Sequence, residues 1–82
     1  MIKNNYIMSE VINWGIIGLG NVAHEFAKSF YNTKNAKLIA IASKSENKLS
    51  KFKANFNIDT SNCHDDYEKL LNNKIVDIVY VA

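Results

Sequence analysis

The sequence is poor in the residues that form disulfides, metal clusters and rigid turns. Its 82 residues include no proline, no arginine, three glycines and one cysteine, Cys63. A single cysteine excludes a disulfide within the chain and any cysteine-cluster metal site. Cys63 and the adjacent His64 could form half of a metal site, but no second Cys or clustered His completes it. We therefore expect no metal site and interpret Cys63 as a residue at a strand end.

Long apolar runs are also lacking. No segment approaches the roughly 18 consecutive apolar residues of a membrane span. The first residues contain a lysine but neither an uninterrupted apolar stretch nor a small-residue cleavage site, so a signal peptide is not expected. These absences predict a cytoplasmic protein without membrane contact.

Charge and composition favour a small globular domain. Apolar residues make up 48% of the chain, which is typical of a folded rather than a disordered protein. The net charge of +2 comes from ten lysines and eight acidic residues that are spread without a basic block. Such a distribution is typical of a solvated surface, so we do not expect nucleic-acid binding. The chain is shorter than the common domain size of roughly 100–150 residues.

A glycine turn is the most informative motif. Gly18, Gly20 and Ala23 are spaced as G-x-G-x-x-A, the dinucleotide-binding fingerprint. Gly18 permits the backbone angles of a tight turn, and Gly20 lacks the Cβ that would keep a pyrophosphate away. Ala23 lets the following helix lie close to the strand. The helix N-terminus then offers N–H groups and a partial positive charge to a phosphate.

Small residues at these spacings are common in turns, so the segments on either side decide whether this motif indicates nucleotide binding. Residues 11–17 form a β-branched and aromatic run that predicts a strand. After the turn, apolar residues recur on one face of an amphipathic helix, namely Val22, Ala23, Phe26, Ala27 and Phe30. Since both flanks fit, a nucleotide-binding turn is favoured over a turn that only joins a strand to a helix.

The middle of the chain predicts a second strand and a second helix. Residues 36–42 are small and apolar, and residues 46–55 carry apolar positions three and four apart. Ser43 stands three residues before Glu46, as in a capping box, and Ser45 is a competing N-cap.

The last part predicts two more strands around a short helix. Residues 60–63 are a weak candidate for the third strand. Asp65 and Glu68 have capping-box spacing before a short helix that passes through residues 67–71. Residues 77–82 are nearly all apolar, as in a strand buried on both faces of a parallel sheet.

The order β-α-β-α-β-α-β predicts an α/β fold, a Rossmann-like doubly wound parallel sheet that is incomplete. With right-handed crossovers, the strand order in space is 3-2-1-4. Ligands bind such sheets outside the carboxyl ends, where the order switches between strands one and four. Gly18, Gly20 and Ala82 all fall at those ends.

The residues after the second strand favour NADP, with NAD as the alternative. An NAD site usually places an acid about 20 residues beyond the glycines to bond the ribose 2′-hydroxyl. Here the segment holds Ser43 and Lys44, and no acid occurs between Glu25 and Glu46. A hydroxyl and an ammonium suit a 2′-phosphate. The alternative is that Lys44 is a solvated loop lysine.

Residues 13–82 resemble a known family. The segments GIIGLGNVAHEFAKSF, AKLIAIASKSENKLSKF and DDYEKLLNNKIVDIVYVA are similar to the N-terminal domain of the glucose-fructose oxidoreductase/inositol dehydrogenase (Gfo/Idh/MocA) family, most of all to its dihydrodiol-dehydrogenase-like branch. The resemblance implies that Ser43 and Lys44 meet the adenosine ribose or its phosphate and that Ala82 begins the stretch near the nicotinamide ribose. It also implies a pyrophosphate contact for Gly18, Leu19, Gly20, Asn21 and Val22.

The family implies hydride transfer between a nicotinamide and a sugar, polyol or related hydroxyl or carbonyl substrate. Its members continue with a loop that bears the catalytic lysine and with a C-terminal sheet domain, whereas this sequence ends at Ala82. We therefore expect residues 1–10 to be a flexible leader, residues 11–82 to be a partial dinucleotide-binding domain, and the substrate domain to be absent. No catalytic residue is assigned; His24 and His64 are interpreted as surface or capping residues.

The chain alone is expected to be inactive, and a homo-oligomer is an open alternative for a full-length form. A non-catalytic nucleotide-binding module, such as a sensor of NAD(P)H, is the main alternative function, and a methyltransferase is another. Both usually carry an acid after the second strand, where this chain has Ser43 and Lys44, so the oxidoreductase is favoured.

Overall fold

The computed structural model describes residues 11–82, and the predicted leader, 1–10, lies outside the described residues. Short 3-10 turns at Ser29–Asn32 and Thr60–Asn62 interrupt an otherwise regular alternation of strands and helices. Among residues 11–82, no helix is both long and apolar enough to cross a membrane. The regular elements are β1 (Ile12–Ile17), α1 (Asn21–Lys28), β2 (Ala36–Ala42), α2 (Glu46–Phe56), β3 (Cys63–His64), α3 (Tyr67–Leu71) and β4 (Ile78–Val81).

The strands form one parallel sheet in the order β3-β2-β1-β4. Because each crossover is right-handed, the chain places α1 and α2 on one face while it moves outward from β1 to β3. The return from β3 to β4 then places α3 on the other face. The predicted Rossmann-like topology and strand order are confirmed.

A buried apolar layer lies on each face of the sheet, because successive side chains of a strand point to opposite faces. Ile16 of β1 packs beneath α1 and α2, whereas Ile17 packs towards α3. The first layer contains Ile16, Leu19, Ala23, Ala27, Ile41, Phe52 and Ile58. The second contains Ile17, Ala40, Ala42, Leu70, Val76 and Val79. This two-sided burial explains the nearly continuous apolar runs of β2 and β4.

Aromatic side chains fix α1 against the centre of the sheet. The ring of Phe26 stacks on Tyr80 of β4 with 4.0 Å between the centroids. Trp14 of β1 meets Phe26 edge-on at 5.4 Å and Phe30 at 5.8 Å. Aromatic pairs of this geometry contribute about 0.5–1.5 kcal/mol beyond their buried area. They therefore hold the second half of α1 and the turn after it against β1 and β4.

The third strand differs from its prediction. Residues 60–63 were expected to be extended, but Thr60–Asn62 is a 3-10 turn and β3 consists of Cys63 and His64. The physical reason is local hydrogen bonding: the Asn62 N–H donates to the Asp59 carbonyl at 2.9 Å. Short polar side chains favour such turns over a sheet ladder.

Two caps are settled by their hydrogen bonds. Ser45, not Ser43, caps α2, because its hydroxyl oxygen accepts from the Lys48 N–H at 3.3 Å. Asp66 caps α3 by accepting from the Glu68 N–H at 2.9 Å, so the capping box predicted for Asp65 is wrong.

The Asn73 amide joins β3 to the end of α3. Its Nδ2 lies 3.0 Å from Asn62 Oδ1 and 3.1 Å from His64 Nε2. Since Nδ2 can only donate, His64 accepts through an unprotonated Nε2. Burial lowers the pKa of His64 below its ordinary 6.5; Asp65 opposes this shift and Lys69 adds to it.

We predict that His64 makes the protein less stable in mild acid. The pKa of His64 is lower in the folded than in the unfolded state. The stability that goes with a neutral His64 is therefore fully present above pH 6.5 and is lost as the pH falls through the folded pKa. The free energy of unfolding, measured with urea at about pH 7.5 and about pH 5, should fall with pH. His64→Asn should reduce this fall.

The matched control is His24→Asn, which should keep the fall in stability. Asp65 does not interfere, because its hydrogen bond from Lys69 lowers the pKa of that carboxyl below 3.8. An unchanged pH dependence in His64→Asn would contradict the assignment.

A side-chain clasp joins the start of β1 to the segment before β4. The Asn13 N–H donates to Asp77 Oδ2 at 2.8 Å, and the Asp77 N–H donates to the Asn13 carbonyl at 2.7 Å. The Asn13 side chain donates to the Ile75 carbonyl at 3.0 Å. The carboxylate thus extends the ladder between β1 and β4 by one bond.

We predict that Asp77→Ala lowers the free energy of unfolding by about 1–2 kcal/mol, because it leaves the half-buried Asn13 N–H without its charged acceptor. Urea unfolding measures this loss. Asp65→Ala is the control, since it removes a carboxylate whose ion pair with Lys69 is exposed, and we expect little change. Equal stabilities of the two variants would contradict the role of the clasp.

Candidate functional site

The carboxyl ends of β1, β2 and β4 meet at the glycine turn. The Gly18 N–H donates to the Ala42 carbonyl at 3.2 Å, and the Ala82 N–H donates to the Ile17 carbonyl at 2.9 Å. The end of β1 is therefore bonded to the ends of both neighbouring strands. The structure brings the glycine turn and Ala82 together, as predicted from the strand order.

Gly18 is required by the turn itself. Its φ is +87°, in the region that disfavours L side chains. A Cβ at this position would also lie 3.1 Å from the Ala82 carbonyl oxygen. The prediction that Gly18 makes the tight turn is confirmed.

Gly20 has a different reason to be glycine. Its φ of −95° and ψ of −162° suit any residue, and a Cβ built on it would meet nothing within 4 Å. The fold alone does not need glycine here. A glycine that the fold does not require is expected where a ligand must approach the backbone closely.

The N-terminus of α1 starts directly after Gly20. The helix has no acidic residue in its first turn, and its N-cap makes no side-chain hydrogen bond. The first N–H groups of a helix have no partner within it, and its dipole attracts anions. Asn21 and Val22 are exposed here, whereas the Leu19 side chain is buried in the core, which leaves only its backbone at the turn.

Ser43 and Lys44 follow β2 at the same edge. Ser43 is buried, and its N–H donates to the carbonyl of His64 at 3.1 Å. Its Oγ accepts from the Ser45 N–H at 3.1 Å, so its hydroxyl proton remains able to donate. Lys44 is exposed, and its Nζ lies 5.5 Å from the centroid of the Tyr67 ring.

The three other side chains considered in the sequence analysis, His24, His64 and Cys63, all make contacts within the fold. His24 is half-buried: its ring meets Phe52 at 4.7 Å, and its Nδ1 lies 3.1 Å from the Gly20 carbonyl oxygen. It therefore bridges α1 and α2 rather than lying on the surface. His64 is half-buried in the Asn73 link described above.

Cys63 begins β3, as the strand-end interpretation predicted, and is half-buried. Its thiol donates to the Asp59 carbonyl at 3.4 Å. Burial raises the pKa of Cys63; Lys53 opposes the shift and Asp59 adds to it. Among residues 11–82, no three His, Cys, Asp or Glu side chains cluster as metal ligands do.

Sequence reasoning missed Tyr67 at this edge. It was assigned only to the short helix, but the structure places its ring beside Lys44. The two residues are far apart in sequence, so no spacing rule links them. The available signal was topological: β2 and β3 are parallel neighbours, so the loops after them lie at one edge of the sheet.

Comparison with known proteins agrees with this geometry. The model of the Gfo/Idh/MocA oxidoreductase family, NAD-binding Rossmann fold, matches residues 12–82. A relative named Oxidoreductase P35, from Formosa agariphila, is 37% identical over 76 residues, which cover 92% of this chain and 23% of the relative.

Two solved structures are similar as well. An aldose-aldose oxidoreductase from Caulobacter crescentus, in complex with glycerol, has a TM-score of 0.76 and 28% identity over 88% of this chain and 22% of its own. A variant of a 3-ketoreductase from Actinomadura kijaniata, in complex with TDP-benzene and NADP, has a TM-score of 0.75 and 28% identity over 87% of this chain and 22% of its own.

The chain thus spans about a fifth of the length of these relatives. The family match extends from the start of β1 to Ala82 and includes the glycine turn, α1 and the segment after β2. The chain belongs to the Gfo/Idh/MocA oxidoreductase family and carries its NAD-binding Rossmann fold.

Proposed function

We propose that this chain binds NADP(H) at the carboxyl edge of its sheet, as the cofactor-binding part of an oxidoreductase. The reaction is hydride transfer between the nicotinamide and a hydroxyl or carbonyl group of a sugar or polyol-type substrate. The observation that carries the binding proposal is the open space beside the backbone of Gly20. The fold itself does not need glycine at this position, so the space is available for a ligand.

The pyrophosphate would bind along the turn and the start of α1. Backbone N–H groups of residues 19–22 are the donors, since the Gly18 N–H already donates to the Ala42 carbonyl. The dipole of α1 adds a favourable field for the negative charge. Leu19 contributes through its backbone only, because its side chain belongs to the core. No carboxylate in the first turn of α1 opposes the anion.

The adenosine ribose and its 2′-phosphate would bind after β2. Lys44 supplies a positive charge and the Ser43 hydroxyl supplies a donor, while the position where NAD enzymes place an acid carries none. Solved structures of this fold include one in complex with NADP and one with NAD(H), so the choice of NADP rests on Ser43 and Lys44. Ala82, bonded to Ile17 beside the turn, would lie near the nicotinamide ribose.

When bound, the nicotinamide supplies a hydride acceptor or donor. The contribution of this chain is to hold the pyrophosphate and ribose at fixed positions, so that the ring is presented at the switch point between β1 and β4. Orientation of this kind is a large part of the rate enhancement in cofactor enzymes.

We predict that Gly20→Ala weakens NADP binding without unfolding the protein. Loss of close phosphate contacts should lower affinity about ten- to hundredfold, measured by isothermal titration calorimetry. The free energy of unfolding should change by less than about 1 kcal/mol, because the new Cβ meets no atom within 4 Å. Alanine is a poorer N-cap than glycine, but it also reduces the conformational entropy of the unfolded chain, and these two effects oppose each other.

Gly18→Ala is the matched comparison. It should lower the free energy of unfolding as well, because its φ is +87° and its Cβ would press on the Ala82 carbonyl. Wild-type NADP affinity in Gly20→Ala would overturn the proposed site.

We predict that the chain binds NADP more tightly than NAD and that Lys44→Asp reverses this order. The substitution removes an attractive charge and supplies an acceptor for the ribose hydroxyl. A charge-assisted phosphate contact contributes about 1.5–3 kcal/mol, or roughly a ten- to hundredfold change in affinity. The preference should shrink as salt rises, because Lys44 is exposed.

The control is Lys34→Asp, which makes the same charge change before β2, at the opposite edge of the sheet. It should leave the preference for NADP intact. Equal affinities for NAD and NADP, before and after Lys44→Asp, would identify Lys44 as a loop lysine only.

A further inference from the structure

The ammonium of Lys44 lies against an aromatic ring rather than an acid. Its Nζ is 5.5 Å from the centroid of the Tyr67 ring, within the range of a cation–π contact. The ion pairs among the described residues are Lys28 with Glu25 and Lys69 with Asp65, so Lys44 takes part in neither.

The backbone of Tyr67 is fixed by the cap of its helix, and its side chain is 38% exposed. It is the first residue of α3, and the Asp66 side chain caps that helix at the Glu68 N–H, 2.9 Å away. Asp65, the other acid in this loop, is held by Lys69 at 2.9 Å. Both carboxylates therefore have partners of their own, and the ring is the group that Lys44 contacts.

A ring and a carboxylate have different effects on a lysine that must bind an anion. A carboxylate would neutralise the ammonium and repel an incoming phosphate. A ring attracts the ammonium through its quadrupole but carries no net charge, so the N–H donors of the ammonium remain usable. Lysine also loses considerable side-chain entropy when it is fixed, and a group that restricts it beforehand reduces that loss on binding.

We propose that Tyr67 is a positioning residue for cofactor discrimination. The face of its ring holds the Lys44 ammonium beside the end of β2, where the 2′-phosphate of NADP would lie, and so strengthens NADP binding relative to NAD. The proposal rests on the proposed function and adds a residue from α3 to a site otherwise formed by the loops after β1 and β2.

The test measures NADP and NAD affinity by titration calorimetry of the 82-residue chain and five variants. Tyr67→Leu should weaken NADP binding about two- to fivefold, the size of an exposed cation–π contact. It should leave NAD binding unchanged. Tyr67→Phe keeps the ring and should behave as wild type. Tyr31→Leu, at a tyrosine that is 69% exposed on the turn after α1, should change neither affinity.

Lys44→Ala and the double variant with both Lys44→Ala and Tyr67→Leu complete a double-substitution cycle. If the ring acts through Lys44, Tyr67→Leu should have no further effect on NADP once Lys44 is alanine. A merely structural role for Tyr67 would instead lower NAD and NADP affinity together. Retained NAD binding shows that Tyr67→Leu is folded.

Each contrary result points to a different failure. Tighter NADP binding in Tyr67→Leu would mean that the ring competes with the phosphate, and equal weakening in Tyr67→Phe would assign the effect to the hydroxyl; either overturns the proposal. An effect that persists in the Lys44→Ala background overturns it as well. Failure of the wild-type chain to bind either dinucleotide would overturn the proposed function itself, and equal affinity for both would remove the NADP preference.

Discussion

The site depends on the close backbone contact at the end of β1. Gly18 turns the chain with a positive φ, donates its N–H to the Ala42 carbonyl and lies against the Ala82 carbonyl. This contact brings three strand ends to one point. A side chain at position 18 would strain the positive φ, and its Cβ would lie 3.1 Å from the Ala82 carbonyl oxygen, so it would disturb this contact. The backbone that we propose to bind phosphate and the side chains that we propose to bind the ribose are thus brought together at one residue without a Cβ.

Aromatic packing on the face of the sheet covered by α1 and α2 supports that contact. Phe26, stacked on Tyr80 and set edge-on to Trp14, holds α1 over β1 and β4. The ring of His24 packs on Phe52 and connects α1 to α2. Helix N-termini bind anions well only when their N–H groups point in a fixed direction. The aromatic contacts therefore hold the helix that begins at the site, and His24 also reaches the site itself, since its Nδ1 lies 3.1 Å from the Gly20 carbonyl oxygen.

Prediction from sequence succeeded where a residue's role follows from its neighbours in the chain. The bounds of β2 matched residues 36–42, because a run of small, apolar residues between polar ones is typical of a buried strand. The third strand was displaced to Cys63 and His64, since Thr60–Asn62 satisfies its backbone locally. The cap of α3 moved by one residue because Asp65 and Asp66 are both acceptable caps, and only the helix geometry selects between them. The ring contacts of His24 with Phe52 and Phe56 were not predicted, because a polar residue on an amphipathic helix gives no sign of the aromatic rings beside it.

The sequence by itself determined the order of the elements, the glycine turn and the absence of an acid after β2, because each is a property of residue types at short spacing. The tertiary structure decided which residues meet. It showed that the turn requires glycine at position 18, whereas the fold does not require glycine at position 20. This difference depends on the atoms that surround each Cα. It also placed Tyr67 beside Lys44, across two loops that only the parallel pairing of β2 and β3 brings together. Contacts between segments distant in sequence depend on topology, and no local pattern specifies them.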